Sequence, residues 1–181
     1  FFQRLRKTIT NDHLTAYPET EKLYEALSKK INVKKNTIVL TPGSDAGIKN
    51  CLDLCVREKE NVLTISPTFA MVDIYSRIKR ANQIKVHYDK NLNLDTSKIL
   101  NIIRKKKIAL VIIANPNSPT GTVIEEKKLI NIISTCYERK TTILIDEAYY
   151  GFSKNTVIRL IKRFPNLIVS RTFSKAYGLA G

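Results

Sequence analysis

Short β-branched and aliphatic runs recur along this chain, and most of the segments between them carry apolar residues at helical spacing. The runs fall at 37–41 (Thr-Ile-Val-Leu-Thr), 62–66 (Val-Leu-Thr-Ile-Ser), 83–88, 108–114 (Ile-Ala-Leu-Val-Ile-Ile-Ala), 142–145 and 167–170. Residues 44–57, 69–80, 96–106, 125–139 and 155–163 read as helices. So do residues 19–31, where Leu23, Leu27 and Ile31 stand at i, i+4 and i+8. The runs at 108–114 and 142–145 are apolar on consecutive positions, as in strands covered on both faces. Strand–helix alternation of this kind predicts an α/β fold, a mostly parallel sheet sandwiched by helices. Residues 1–17 have mixed charge without clean periodicity, so an N-terminal arm is set at 1–18 and one domain at 19–181. No repeat, low-complexity segment or internal linker interrupts it.

With 181 residues, 43% of them hydrophobic, the chain has material for a sizeable core. It is enough for one domain, or for most of a domain belonging to something larger; both ends read as cuts or processing points. The formal net charge of +15 is mostly lysine, as in Lys105-Lys106-Lys107 and Lys127-Lys128. Such runs read as solvated faces. They lack the interleaved aromatics or groove-reading helix of a nucleic-acid module, so no specific nucleic-acid partner is expected. An anionic small ligand or weak polyanion contact suffices. Cys51, Cys55 and Cys136 form no disulfide framework, and Cys51 and Cys55 read as small core residues on one helix face, in a reducing cytoplasm. No apolar run approaches the roughly 18 residues of a membrane helix, and no signal peptide is visible, so no membrane partner is expected.

In open α/β sheets, ligands gather outside the carboxyl ends of the strands, and the unusual residues of this chain cluster there. After 37–41, Pro42-Gly43-Ser44-Asp45-Ala46-Gly47 opens a helix. Its free N–H groups suit a phosphate, or Ser44 or Asp45 simply caps the helix. After 62–66 comes Ser66-Pro67-Thr68-Phe69, whose aromatic either stacks on a planar ring or plugs the core. After 108–114, Asn115-Pro116-Asn117-Ser118-Pro119-Thr120-Gly121 makes a rigid turn with more polar side chains than a turn requires. Asp146 directly follows Ile143-Leu144-Ile145, where a carboxylate is costly to bury unless it meets a cation. Helix capping or a structural ion pair is one reading of Asp146; an aspartate that keeps a ring nitrogen protonated is the other. Past 167–170, Lys175 lies between small hydroxyl residues and a Gly/Ala-rich stretch. An amine held there, where water is scarce, loses its proton and becomes a nucleophile towards carbonyls. Together these pieces describe a phosphate, an aromatic ring, a basic ring nitrogen and an aldehyde, which is pyridoxal 5'-phosphate (PLP).

The motifs Tyr17-Pro18-Glu19, Gly43 to Gly47, Pro67-Thr68-Phe69, Asn115 to Gly121, Asp146-Glu147-Ala148-Tyr149 and Arg171 to Gly181 stand in this order along the chain. On them the chain resembles the fold-type I PLP-dependent aminotransferases of the class I/II superfamily, closest to the histidinol-phosphate aminotransferase branch. The resemblance implies that Lys175 forms the Schiff base with the cofactor and shuttles a proton between substrate and cofactor. It implies that Asp146 pairs with the pyridine nitrogen, Tyr149 bonds the 3-hydroxyl and Phe69 stacks on the ring. Ser44, Asp45 and Ala46 would offer N–H groups to the phosphate, and Thr172 and Ser174 hydroxyls. Tyr17 would reach the phosphate of a neighbouring subunit, implying a homodimer. An amino-acid donor and an oxo-acid acceptor would be the small-molecule partners. Where the family commonly has Asn before Pro-Thr-Gly, this chain has Ser118. Asn117 does not simply inherit the role, because adjacent side chains in extended backbone point apart. A phosphate-binding arginine, the antiparallel strand of the sheet and a small C-terminal domain are expected to be absent from these residues, so the chain alone is expected to transaminate weakly or not at all. The alternatives are a PLP-dependent decarboxylase or lyase on the same scaffold and, from another class, a basic nucleic-acid-binding α/β module.

Overall fold

A computed structural model describes residues 2–153 and 155–180; Phe1, Lys154 and Gly181, the last residue of the 171–181 motif, lie outside the described residues. The chain divides into two compact units, Phe1–Val39 and Leu40–Gly181. The first contains α1 (Phe2–Thr8), α2 (Asn11–Thr15), α3 (Glu21–Ile31) and a 3-10 turn at Lys35–Thr37. α3 ends where Asn32 takes left-handed backbone, φ 53°, a conformation asparagine tolerates better than most residues. Neither α1 nor α2 has a buried residue.

The second unit runs α4 (Gly43–Cys55), β1 (Asn61–Ser66), α5 (Ala70–Ile78), β2 (Asn82–His87), α6 (Thr96–Lys105), β3 (Leu110–Ala114), α7 (Glu126–Glu138), β4 (Thr142–Asp146) and β5 (Leu167–Ser170). The five strands lie in the order β2-β1-β3-β4-β5, and every neighbouring pair is parallel. Side chains alternate between the two faces of the sheet. Val62, Leu110, Ile112 and Leu144 pack with Ile48 and Leu52 of α4 and Val72 of α5. Leu63, Ile65, Val111, Ile113, Ile143 and Ile145 pack with Ile99 and Ile103 of α6 and with Leu129, Ile132 and Ile133 of α7. Both faces are therefore covered, which is why β3 can be apolar at every position. The expected α/β sandwich is the observed one.

Parallel strands joined by covering helices deliver their carboxyl ends to one edge of the sheet. Ala114, Asp146 and Ser170 end β3, β4 and β5 in register with one another. The candidate chemistry sits along that edge.

Two expected elements differ. The run 37–41 joins no strand ladder among the described residues, and Val39 is 80% exposed. β-branched side chains favour extended backbone, but composition alone does not make a ladder strand. The helix expected over 155–163 is a 3-10 helix at Ile158–Lys162. Its backbone bonds tighten to i+3 spacing, with Leu160 N donating to the Val157 carbonyl at 2.8 Å, and Pro165 then stops it. The cysteines sit as core residues do. Burial pushes the Cys51 thiol up to about 11 and the Cys136 thiol up to about 12.

Truncating Ile132, fully buried between α7 and the sheet, to alanine should cost about 2–5 kcal/mol in urea unfolding. Ile78→Ala on α5, where the side chain is 69% exposed, should stay within about 0.5 kcal/mol.

Candidate active site

The ends of β4 and β5 build the centre of the site. Asp146, only 5% exposed, closes β4. Its Oδ1 accepts from the Ala148 N–H at 3.2 Å and from the Ser170 hydroxyl on the neighbouring strand. Among the described residues no lysine, arginine or histidine lies within ion-pair distance of it. Burial raises the Asp146 carboxyl above the usual carboxylate range, and the two hydrogen bonds only partly oppose that. Among the described residues, then, the structural ion-pair reading of Asp146 finds no cation.

Glu147 comes next and points to the other face. It is 1% exposed, and it is paired. Arg171, the first residue past β5, donates from Nε to the Glu147 Oε2 at 3.0 Å, and its Nη2 stands 2.9 Å from the same oxygen as an ion pair. Thr156 Oγ1 and the Val157 N–H donate to the same carboxylate at 2.8 and 2.7 Å. The Arg171 guanidinium also lies over the Tyr150 ring, 3.6 Å from its centroid.

From Arg171 the chain turns through Thr172 and Ser174, whose hydroxyls are 2.9 Å apart, with Thr172 donating. Both are half-buried. Lys175 follows, its Nζ 5.5 Å from the centroid of the half-buried Tyr149 ring. The water-poor setting expected for this amine is not found: Lys175 is exposed, as is every described residue after it. The Tyr149 ring is its recorded neighbour, and one aromatic flank leaves the amine open to water. The loop is nonetheless drawn tightly against the residues that follow β4. At Gly151, φ 106°, an added Cβ would stand 2.9 Å from the Ala176 Cβ, closer than side chains approach.

Around this centre stand the other expected residues. α4 begins at Gly43, φ 73°, with Pro42 at the cap position and no capping side chain. Ser44 and Asp45 lie inside the first turn, so neither is the cap. Nothing stands within 4 Å of where a Gly43 Cβ would be. The helix start is thus open, with N–H groups that no cap side chain satisfies, which is a setting for an anion. Asp45 is engaged elsewhere: Tyr75 OH donates to its Oδ2 at 2.6 Å, while its buried Oδ1 has no partner among the described residues. Phe69 precedes α5 and is 37% exposed, so it does not plug the core. Ser118 and Tyr149 share a hollow of about 290 Å³ with Val123 and Phe152. Asn117 is 2% exposed, and its amide is committed to the fold. It accepts from Thr68 Oγ1 at 2.9 Å and donates to the Pro67 carbonyl and Thr120 Oγ1 at 2.9 and 2.8 Å. Tyr17 belongs to the first unit and is 99% exposed.

The profile of a known protein family, aminotransferase class I and II, matches residues 2–181. The chain belongs to the aminotransferase class I and II family. Among curated relatives, the histidinol-phosphate aminotransferase of Caldanaerobacter subterraneus subsp. tengcongensis is 38% identical over 171 residues, 93% of this chain and 48% of that protein. The histidinol-phosphate aminotransferase of Thermoanaerobacter pseudethanolicus is 35% identical over 181 residues, 99% of this chain and 51% of that protein. The chain thus spans about half the length of the curated relatives it matches. The crystal structure of the Sinorhizobium meliloti histidinol-phosphate aminotransferase in complex with pyridoxal-5'-phosphate superposes with a TM-score of 0.87 at 25% identity, over 99% of this chain and 49% of that one.

For this aminotransferase-family chain the structure brings Asp146, Tyr149, Thr172, Ser174 and Lys175 to neighbouring strand ends. Four partners went unassigned in the sequence: Ser170 on Asp146, Tyr75 on Asp45, Thr68 on Asn117 and Arg171 on Glu147. The last had a signal, since each residue directly follows a strand of the same sheet.

The buried carboxylate sets a pH dependence. With its value raised on folding, the native state holds the Asp146 proton at pH values where the unfolded chain has released it. Stability from this group therefore falls as pH rises from the ordinary carboxylate range through the raised value, and stays low above it. Asp146→Asn keeps both acceptor contacts and removes the charge. In the ligand-free chain it should flatten that slope and raise the neutral-pH melting temperature, by about 2–4 °C for each kcal/mol recovered. Calorimetry from pH 4 to 8 checks both.

Proposed function

We propose that this chain is the cofactor-holding part of a PLP-dependent aminotransferase that moves an amino group between an amino acid and a 2-oxo acid or phosphorylated carbonyl compound, as a histidinol-phosphate aminotransferase does. In this reading residues 19–181 form the cofactor-binding domain and 1–18 an arm. The observation that carries it is Asp146, a buried carboxylate without a cation among the described residues, at the carboxyl end of β4 beside the Tyr149–Lys175 contact. A cationic ring nitrogen fits that carboxylate, and the open, uncapped start of α4 fits a phosphate.

When bound, PLP supplies a ring that draws electron density from the substrate's α-carbon. The chain's own residues do the rest. Asp146 holds a proton at the ring nitrogen, and Ser170 and Ala148 fix its orientation. The Lys175 amine would be the nucleophile that holds the cofactor's aldehyde carbon, and the base that would carry the α-carbon proton. Tyr149 offers its hydroxyl to the ring's 3-oxygen, with Ser118 on the same hollow, and Phe69 offers an exposed ring face. The N–H groups of Ser44, Asp45 and Ala46 receive the phosphate, with the Thr172 and Ser174 hydroxyls beside them. Asn117 acts through the turn that carries Ser118, because its amide is already occupied. The full exposure of Tyr17 supports its serving a second copy of the chain, hence a homodimer. The free cysteines support a cytoplasmic setting. No helix among the described residues is long and apolar enough to cross a membrane.

Incubation with PLP, reduction with borohydride and peptide mass mapping tests the reading. A phosphopyridoxyl group is expected on Lys175 well ahead of the exposed lysines, and lost from that peptide in Lys175→Ala. Label scattered evenly over surface lysines would sink it. Tight, salt-sensitive binding to nucleic acid in its place would favour the basic-module alternative.

A further inference from the structure

The two loops that leave β4 and β5 are joined at several points. Glu147 meets Arg171, Arg171 lies over Tyr150, Tyr149 faces Lys175 at 5.5 Å, and Gly151 admits Ala176 where no other residue would fit. The β4–β5 register starts this pairing. Asp146 stands opposite Ser170, and the Glu147 N–H donates to the Ser170 carbonyl at 2.8 Å, so the next side chains, Glu147 and Arg171, fall together.

We propose that the Glu147–Arg171 ion pair and Gly151 are positioning elements that hold the Lys175 loop against Tyr149. None of the three touches the reacting atoms. The inference rests on the PLP reading and adds what sets its lysine in place. Arg171 is fixed on several sides: a hydrogen bond from Nε and an ion-pair contact from Nη2 to Glu147, a hydrogen bond from Nη2 to Thr156 Oγ1 at 2.7 Å, and the Tyr150 ring beneath. Glu147 is held in turn by the Val157 N–H. A planar guanidinium bound this way has little freedom, and the chain that follows inherits its direction. Gly151 fixes the far end, since a methyl there would push the Ala176 segment away. The pair has a second consequence. It neutralises the carboxylate beside Asp146, leaving Asp146 as the one without a charged partner among the described residues at this strand end.

The test compares wild type with Glu147→Gln, Arg171→Leu and Gly151→Ala, each first confirmed folded by circular dichroism. Because Arg171→Leu leaves a buried charge and risks unfolding, Arg171→Lys, which keeps the charge and loses the fork, accompanies it. PLP with cyanoborohydride is added, and the initial rate of labelling at Lys175 is divided by that at Lys105, an exposed lysine on α6. The ratio should fall about 10-fold or more in the variants, with labelling of Lys105 unchanged. Lower melting temperatures with the wild-type ratio retained in folded protein would assign the pair to stability alone and overturn the proposal. A wild-type ratio near one is a different failure, removing the PLP reading and this inference with it.

Discussion

The parallel pairing of β4 with β5 is the constraint on which the site depends. It sets Asp146 opposite Ser170, so the carboxylate of one strand meets the hydroxyl of the next. The alternation of side chains then assigns consecutive residues to opposite faces. Asp146 and Glu147 are neighbours in sequence yet live in different surroundings, one towards the α4 and α5 face and one towards the face where Val157 packs. A one-residue slip would exchange them and place the paired carboxylate where the unpaired one belongs. The apolar residues of β4, buried on both faces, make that slip prohibitive, because Ile143, Leu144 and Ile145 would all change sides.

The same pairing explains how two adjacent buried carboxylates coexist. An isolated buried charge is costly, and a second beside it compounds the cost. Glu147 escapes through Arg171, Thr156 and the Val157 N–H. Asp146 does not. Burial, with the Glu147 charge as a smaller contribution, pushes its carboxyl towards the protonated form. Removing Arg171 would therefore be felt at Asp146 as well as at Glu147.

The sequence announces what is local and conceals what is relational. β3 and β4 are readable because burial on both faces leaves a continuous apolar run, and α6 because its apolar residues fall at helical spacing; its Asp95 cap emerges only in the structure. The segment 37–41 has the composition of a strand yet joins no ladder among the described residues, and composition does not report ladder pairing. Likewise the residues around Lys175 describe its company along the chain, not what covers it, so its exposure was missed. Asp146 stands out from its place at a strand end, and Tyr149 only through the resemblance. Their supports do not stand out, since Ser170, Thr156 and Arg171 are distant in sequence and meet them only through the sheet order. Asn117 was a candidate ligand on its type alone; three hydrogen bonds make it a brace between the Pro67–Thr68 loop and its own turn.

What remains uncompensated in the folded chain points to its ligand. Asp146 is a buried carboxyl without a positive partner among the described residues, and α4 presents N–H groups at an open start without a capping side chain. The two deficits are opposite in sign, so two unrelated counter-ions or one molecule bearing both charges would relieve them. Tyr149 and Ser118 line one hollow, and Phe69 offers an exposed ring, which independent ions would not use. A single planar molecule with an anionic group and a cationic ring nitrogen uses all three features, and PLP is such a molecule. Because only the folded chain presents both deficits together, binding would stabilise that state by mass action. The electrostatic cost of the free chain would then become a source of selectivity for such a ligand.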